Sequence, residues 1–230
     1  MKEQTIGFFG DSFCANKNNP LNIFSKTNTY TSMLADHLKS RIVNLGVGGS
    51  SIADTILLQL TPFIKSNTVP DICVFVWTNP GRLFNRTFRN LNHASVLDAT
   101  SSDPIWKAAK DYYGHLYDHE LIELEYIALL EYIDNNILSS LPSTTKIIHL
   151  WAFGKFKDFT EEFLSIDHID YHYKWKNGIE IRPALISVSL LGSTVEKFIN
   201  NHVPNHMDTQ EKNDIIFTWI KDALIQETHP

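Results

Sequence analysis

Cysteine is scarce in this chain: its 230 residues include two, Cys14 and Cys73. Two thiols make no disulfide framework, so stability has to come from a buried apolar core, and Cys73 itself sits in an apolar run. Long apolar stretches are missing too. No window of about 18 apolar residues occurs, which leaves no candidate for a membrane-spanning helix. Basic clusters are absent: 20 Lys and Arg face 26 Asp and Glu, the formal net charge is −6, and the basic residues are scattered. A nucleic-acid partner needs a basic face and is not expected. No repeat, low-complexity tract or Pro/Gly/Ser linker divides the chain, so residues 1–230 read as one domain. The apolar stretch 6–9 is too short for a signal-peptide core and runs into a turn. The expected location is therefore cytoplasmic or virion-associated. What is present is a composition of 43% hydrophobic and 20% charged residues, ordinary for a globular domain with a sizeable core.

The hydrophobic pattern predicts strands alternating with helices. Residues 5–9 read as a strand ending at Gly10-Asp11-Ser12, followed by a polar loop over 16–28. A helix over 29–40 places Tyr30, Met33, Leu34 and Leu38 at helical spacing. A strand over 42–45 ends in Gly46-Val47-Gly48-Gly49-Ser50-Ser51, and a helix over 52–66 follows. Ile72-Cys73-Val74-Phe75-Val76-Trp77 is the continuous apolar run of a parallel strand covered on both faces. A long helical region spans 104–139, a strand 146–151, a fifth strand 186–190 and a last helix 209–225. Segments 81–103 and 153–184 read as irregular insertions, with a hairpin-turn signal at Lys176-Asn177-Gly178. This alternation implies an α/β fold: a central parallel sheet of about five strands with helices on both sides. Chemistry in such sheets gathers at the carboxyl ends of the strands. Three of those ends carry small or polar groups: Ser12, Gly49 and Asn79.

A serine hydroxyl becomes a useful nucleophile only beside a base, and the tetrahedral intermediate needs donors aimed at its oxyanion. Ser12 follows a strand, where its backbone N–H can face a pocket. Gly49 offers an N–H with no side chain in the way. Asn79 offers a side-chain amide. Each has a plainer reading. Gly-rich turns after strands are common, and Asn79 before Pro80 suits a simple turn. The Gly46–Gly49 loop could hold a phosphate in a flavodoxin-like nucleotide-binding domain. It lacks, however, the Lys-Ser/Thr of a P-loop and the acidic residue of a dinucleotide site.

Taken in order, four blocks resemble the SGNH hydrolase family, also called GDSL esterases. IGFFGDSF is similar to its first block, IVNLGVGGSSI to its second, PDICVFVWTNP to its third and NHMDTQEKNDIIFTWI to its last. The resemblance spans residues 5–225. It implies a three-layer α/β/α, flavodoxin-like fold and a carboxylic ester hydrolase. Ser12 would be the nucleophile and His206 the base, with Ser12, Gly49 and Asn79 forming the oxyanion hole. It implies no metal and no cofactor. The partner would be a small-molecule or glycan ester, and small acyl esters such as O-acetylated carbohydrate lead.

Three departures stand out. Trp77 and Pro80 occupy positions where the family usually has Gly and Asp. Val203 stands three residues before His206, where the family's Asp belongs. The orienting acid is therefore missing from its usual place. Asp208 is the nearest substitute, although Asp208-Thr209-Gln210-Glu211 also reads as a helix cap. Asp11 is a second possible supporting acid. A Ser-His dyad is the remaining arrangement, and a catalytically weakened SGNH-fold binding or structural protein is the alternative to an enzyme.

His115 and His119 have the i, i+4 spacing of metal ligands but lack the intervening Glu, so a solvated helix face is expected. The Asp167–His172 cluster reads as a polar loop. Phe153, Tyr171, Tyr173 and Trp175 either line a substrate cleft or form a small local core.

Overall fold

The computed structural model describes residues 3–14, 29–78, 80–87, 91, 96, 102–152, 173–185 and 210–226. Five strands form one sheet: β1 (Thr5–Gly10), β2 (Arg41–Asn44), β3 (Ile72–Trp77), β4 (Lys146–Trp151) and β5 (Ile179–Leu185). Their order is β2-β1-β3-β4-β5, and every pairing is parallel. Helix α1 (Tyr30–Leu38) precedes β2. After β2 come α2 (Ile52–Asp54), a π-helical stretch Thr55–Leu60 and α3 (Thr61–Ser66) in one continuous run. After β3 come α4 (Pro104–His115) and α5 (His119–Tyr132). The latter continues into a π-helical stretch Ile133–Ile137 and a 3₁₀ turn Leu138–Ser140. Helix α6 is Gln210–Gln226.

The layers follow from the two-residue period of a strand. Ile6 and Phe8 of β1, Ile72, Val74 and Val76 of β3, and Ile148 and Leu150 of β4 face one way. There they meet Tyr30 and Leu34 of α1 and Ile216, Ile220 and Leu224 of α6. The intervening residues Phe9, Cys73, Phe75, Trp77, Ile147 and Trp151 face the other way. They meet Ile52, Ile56 and Leu60 on one side and Tyr126, Leu130 and Ile133 on the other. The result is a three-layer α/β/α sandwich with β1 and β3 buried along their whole length. The continuous apolar reading of 72–77 has this cause. Among the described residues, no helix is long and apolar enough to cross a membrane.

Several sequence expectations need correction. The fifth strand is Ile179–Leu185; residues 186–190 lie outside the described residues. Lys176-Asn177-Gly178 forms no hairpin, because residues 173–175 before it are not a strand. The bend is instead tied to the neighbouring helical layer. Asp134 accepts the N–H of Lys176 at 2.7 Å, the N–H of Asn177 at 3.1 Å and the Asn177 amide at 2.7 Å. Gly178 has φ +99°, and a Cβ there would lie 2.7 Å from the Ile147 carbonyl oxygen. The helical region 104–139 breaks at residues 116–118, where Asp118 caps α5 by accepting the Leu121 N–H at 2.9 Å. His115 thus ends one helix and His119 begins the next, so their spacing is not that of one helix face.

Candidate active site

The strand order decides where a site can form. The chain leaves β1 for β2 on one side and returns to β3 on the other. Helices on either side then diverge, opening a crevice at the carboxyl ends of β1 and β3. Ser12 lies there, half-buried, two residues beyond the end of β1.

The turn that carries Ser12 is held from three directions. Gly10 has φ +144°, and any Cβ would stand 2.4 Å from the Val76 carbonyl oxygen, so only glycine fits. Asp11 is fully buried. Its carboxylate accepts the Phe13 N–H at 3.0 Å and the Thr78 hydroxyl at 3.0 Å, and pairs with the Arg82 guanidinium at 3.2 Å. Arg82 also donates to the Ser50 carbonyl at 3.1 Å. One carboxylate therefore links the end of β1, the residue after β3 and, through Arg82, the loop after β2. Asp11 supports the turn.

Gln59 makes the third tie, and the sequence reading missed it. Its amide oxygen accepts the Gly10 N–H at 2.7 Å. Its amide nitrogen donates to the Gly10 carbonyl at 2.9 Å and to the Ser50 hydroxyl at 3.2 Å. Gln59 is 2% exposed and lies in the π-helical stretch. The available signal was a polar residue on the apolar stripe Ile52-Ile56-Gln59-Phe63, where a buried amide has to find partners.

The loop carrying Gly49 packs against the same turn. The Val47 N–H donates to the Gly10 carbonyl at 3.1 Å. The Asn44 side chain donates to the Cys14 carbonyl at 2.6 Å and accepts the Gly46 N–H at 3.0 Å. Gly49 adopts φ +78°, a conformation that favours glycine. Ser51 and Asp54 then form a reciprocal capping box that starts α2. Ser12 and Gly49 are thus brought to neighbouring, mutually bonded turns. Asn79, His206, Asp208 and Val203 lie outside the described residues, as does the 167–172 cluster. Among the described residues no group of His, Cys, Asp and Glu could hold a metal ion.

Cys14 lies two residues from Ser12, but it is no rival nucleophile. Burial, reinforced by the Asp11 charge, pushes its thiol well above the ordinary range. Burial likewise pushes Cys73 up to about 12, so neither is a thiolate near neutral pH.

The third-block departures have local explanations. Trp77 packs into the layer that holds α2 and α5. It stacks on Phe75 at 5.1 Å and on Trp175 at 4.9 Å. Its indole N–H donates to His149 Nδ1 at 2.9 Å. Tyr173 and Trp175, read as cleft or core, belong to this core: His149 and Trp175 lie face to face with centroids 4.0 Å apart. Pro80 lines a small cavity beside the crevice.

No protein-family model matches the chain, and no curated protein matches it. Solved structures do. A protein of Parabacteroides merdae described as a GDSL-like lipase is 14% identical over 96% of this chain and 95% of its own, with a TM-score of 0.45. The psychrotrophic esterase EstA of a Pseudoalteromonas species is 8% identical over 99% of this chain and 100% of its own, with a TM-score of 0.44. A family two carbohydrate esterase of Clostridium thermocellum, solved with cellohexaose, is 14% identical over 71% of this chain and 47% of its own, with a TM-score of 0.31. These three solved structures are described as a lipase and two esterases.

Proposed function

We propose that the chain is a serine ester hydrolase of the SGNH/GDSL type, acting through an acyl-enzyme on small acyl esters such as O-acetylated carbohydrate. The observation that carries this reading is the position of Ser12. It sits half-buried at the crevice beside β1 and β3, on a turn bonded to the Gly49 loop. The Ser12 hydroxyl attacks the ester carbonyl carbon while His206 takes its proton. The N–H groups of Ser12 and Gly49 and the Asn79 amide receive the oxyanion. The bond to the alcohol oxygen then breaks, and His206 returns the proton to that oxygen. Water, deprotonated by His206, attacks the acyl-Ser12 ester, releasing the acid and restoring the hydroxyl. With Val203 in the usual Asp position, the base works as a dyad or with an acid from elsewhere.

Purified protein should hydrolyse p-nitrophenyl acetate, and Ser12→Ala should not. A fluorophosphonate should label Ser12 and nothing else. The Val203 departure favours one competing reading, an SGNH-fold binding or structural protein. That reading requires wild type and Ser12→Ala to be equally inert and Ser12 to stay unlabelled, and this outcome would end the enzyme reading.

A further inference from the structure

We infer that the cavity between the start of α2, the loop after β3 and helix α5 receives the acyl group of the ester and restricts it to short chains. The inference rests on the hydrolase reading above. The cavity measures about 120 Å³, and Ile52, Ala53, Pro80, Ile122, Tyr126 and Leu129 make most of its wall. An apolar cavity of about 150 Å³ holds a benzene molecule, so this smaller one has room for an acyl chain of up to about four carbons.

Its position relative to the chemistry is set by chain and side-chain connections. Ser51, also in the wall, stands two residues after Gly49, and Pro80 directly follows Asn79. The wall therefore begins within two residues, along the chain, of Gly49 and Asn79. Arg82 completes the link: it lines the cavity and holds Asp11, the residue before Ser12, at 3.2 Å. One side chain thus touches both the cavity and the nucleophile turn.

A carbonyl held by those donors has two substituents, the acyl carbon and the alcohol oxygen. The cavity favours the acyl carbon because three of its four polar wall residues, Ser51, Arg82 and Tyr126, are engaged, while the fourth, Glu125, is exposed to solvent. The Tyr126 hydroxyl donates to the Thr78 carbonyl at 3.1 Å. Arg82 is shared between Asp11 and the Ser50 carbonyl. The Ser51 hydroxyl donates to Asp54 at 2.9 Å. A hydroxyl-rich alcohol would find few partners there, whereas a short alkyl chain needs none. Leu129, 36% exposed, marks the solvent end.

The test compares kcat/KM for p-nitrophenyl acetate, butyrate, hexanoate and octanoate in wild type, Ala53→Leu and Leu129→Ala. Wild type should fall steeply beyond butyrate. Ala53→Leu fills the cavity and should lower the butyrate-to-acetate ratio about tenfold or more, since one misfitting methylene can cost that much. Leu129→Ala opens the far end and should raise the hexanoate-to-acetate ratio. Ratios do not depend on the amount of folded enzyme, so partial misfolding cannot imitate the result. A wild-type preference for octanoate overturns the inference. So do ratios within about twofold of wild type in both variants, with ester turnover intact. Absence of any ester turnover, with Ser12 unlabelled, removes the hydrolase reading and the inference together.

Discussion

Asp11 and His149 are buried polar groups held by specific partners. The Asp11 carboxyl faces the Arg82 guanidinium and two neutral donors. Asp11→Asn removes the carboxylate that faces the Arg82 guanidinium, which is 10% exposed. Breaking a buried pair this way costs about 3–5 kcal/mol, so the variant should unfold at clearly lower urea, and Ser12 should react more slowly with a fluorophosphonate. His149 is a buried neutral ring. The Trp77 indole can only donate, so Nδ1 accepts; the Asn177 carbonyl can only accept, so Nε2 bears the proton. Burial lowers its pKa to about 4, with the Asn177 carbonyl and the Asp134 charge pulling weakly the other way. The unfolded chain, at about 6.5, takes up the proton first as pH falls. The stability His149 contributes is therefore complete above pH 6.5 or so and is lost progressively as pH falls through about 4, by about 3 kcal/mol in all. Urea unfolding at pH 7.5 and 4.5 should show that loss. His149→Phe should flatten it while lowering stability at both pH values, because Trp77 and Asn177 lose their partner.

At the scale of elements, the run Ile52–Ser66 shows what patterning conveys and what it omits. Apolar spacing located the helix, but the widened turn over Thr55–Leu60 left no mark, because a π-turn shifts register by one residue without changing composition. That turn carries Gln59 to the Gly10 backbone. Gln59→Leu keeps the bulk and removes the amide, stranding the buried Gly10 N–H, whereas the Gly10 carbonyl keeps the Val47 N–H. An unsatisfied group of this kind costs about 1–3 kcal/mol, so the melting temperature should fall. Ester turnover should fall further than loss of folded protein explains, with kcat affected more than KM, because the Ser12 turn and the Gly49 loop lose their common anchor. Unchanged kcat in the folded fraction would reduce Gln59 to a packing role. Strand β5 was misjudged for a related reason. Its Ile-Glu-Ile-Arg-Pro-Ala-Leu pattern alternates and contains Pro183, which a sheet edge tolerates and a central strand does not. The more apolar stretch 186–190 was therefore the stronger strand signal in the sequence.

For the molecule as a whole, the alternation of strands and helices carried most of the fold, because each crossover returns to a parallel strand of the same sheet, adjacent in every case but β2 to β3. The placement of Ser12 and Gly49 at adjacent strand ends followed from that order. The ties between their turns did not, since Asp11, Arg82, Ser50 and Gln59 meet only once the sheet has brought distant segments together. Those ties attach the candidate site to the most deeply buried strands. β1 and β3 are covered on both faces, whereas β2 is an edge strand with Ile42 38% exposed. Opening β3 would expose both halves of the core at once, and opening β2 exposes little of either. Native-state hydrogen exchange should therefore protect the amides of Ile72–Trp77 up to the free energy of global unfolding. Those of Arg41–Asn44 should exchange through smaller local openings. The Gly10 amide, bonded to buried Gln59 rather than to a strand, should belong with the slow group. Rapid exchange at Gly10 would mean that the Ser12 turn moves independently of the core, and a rigid catalytic turn could not then be attributed to this fold.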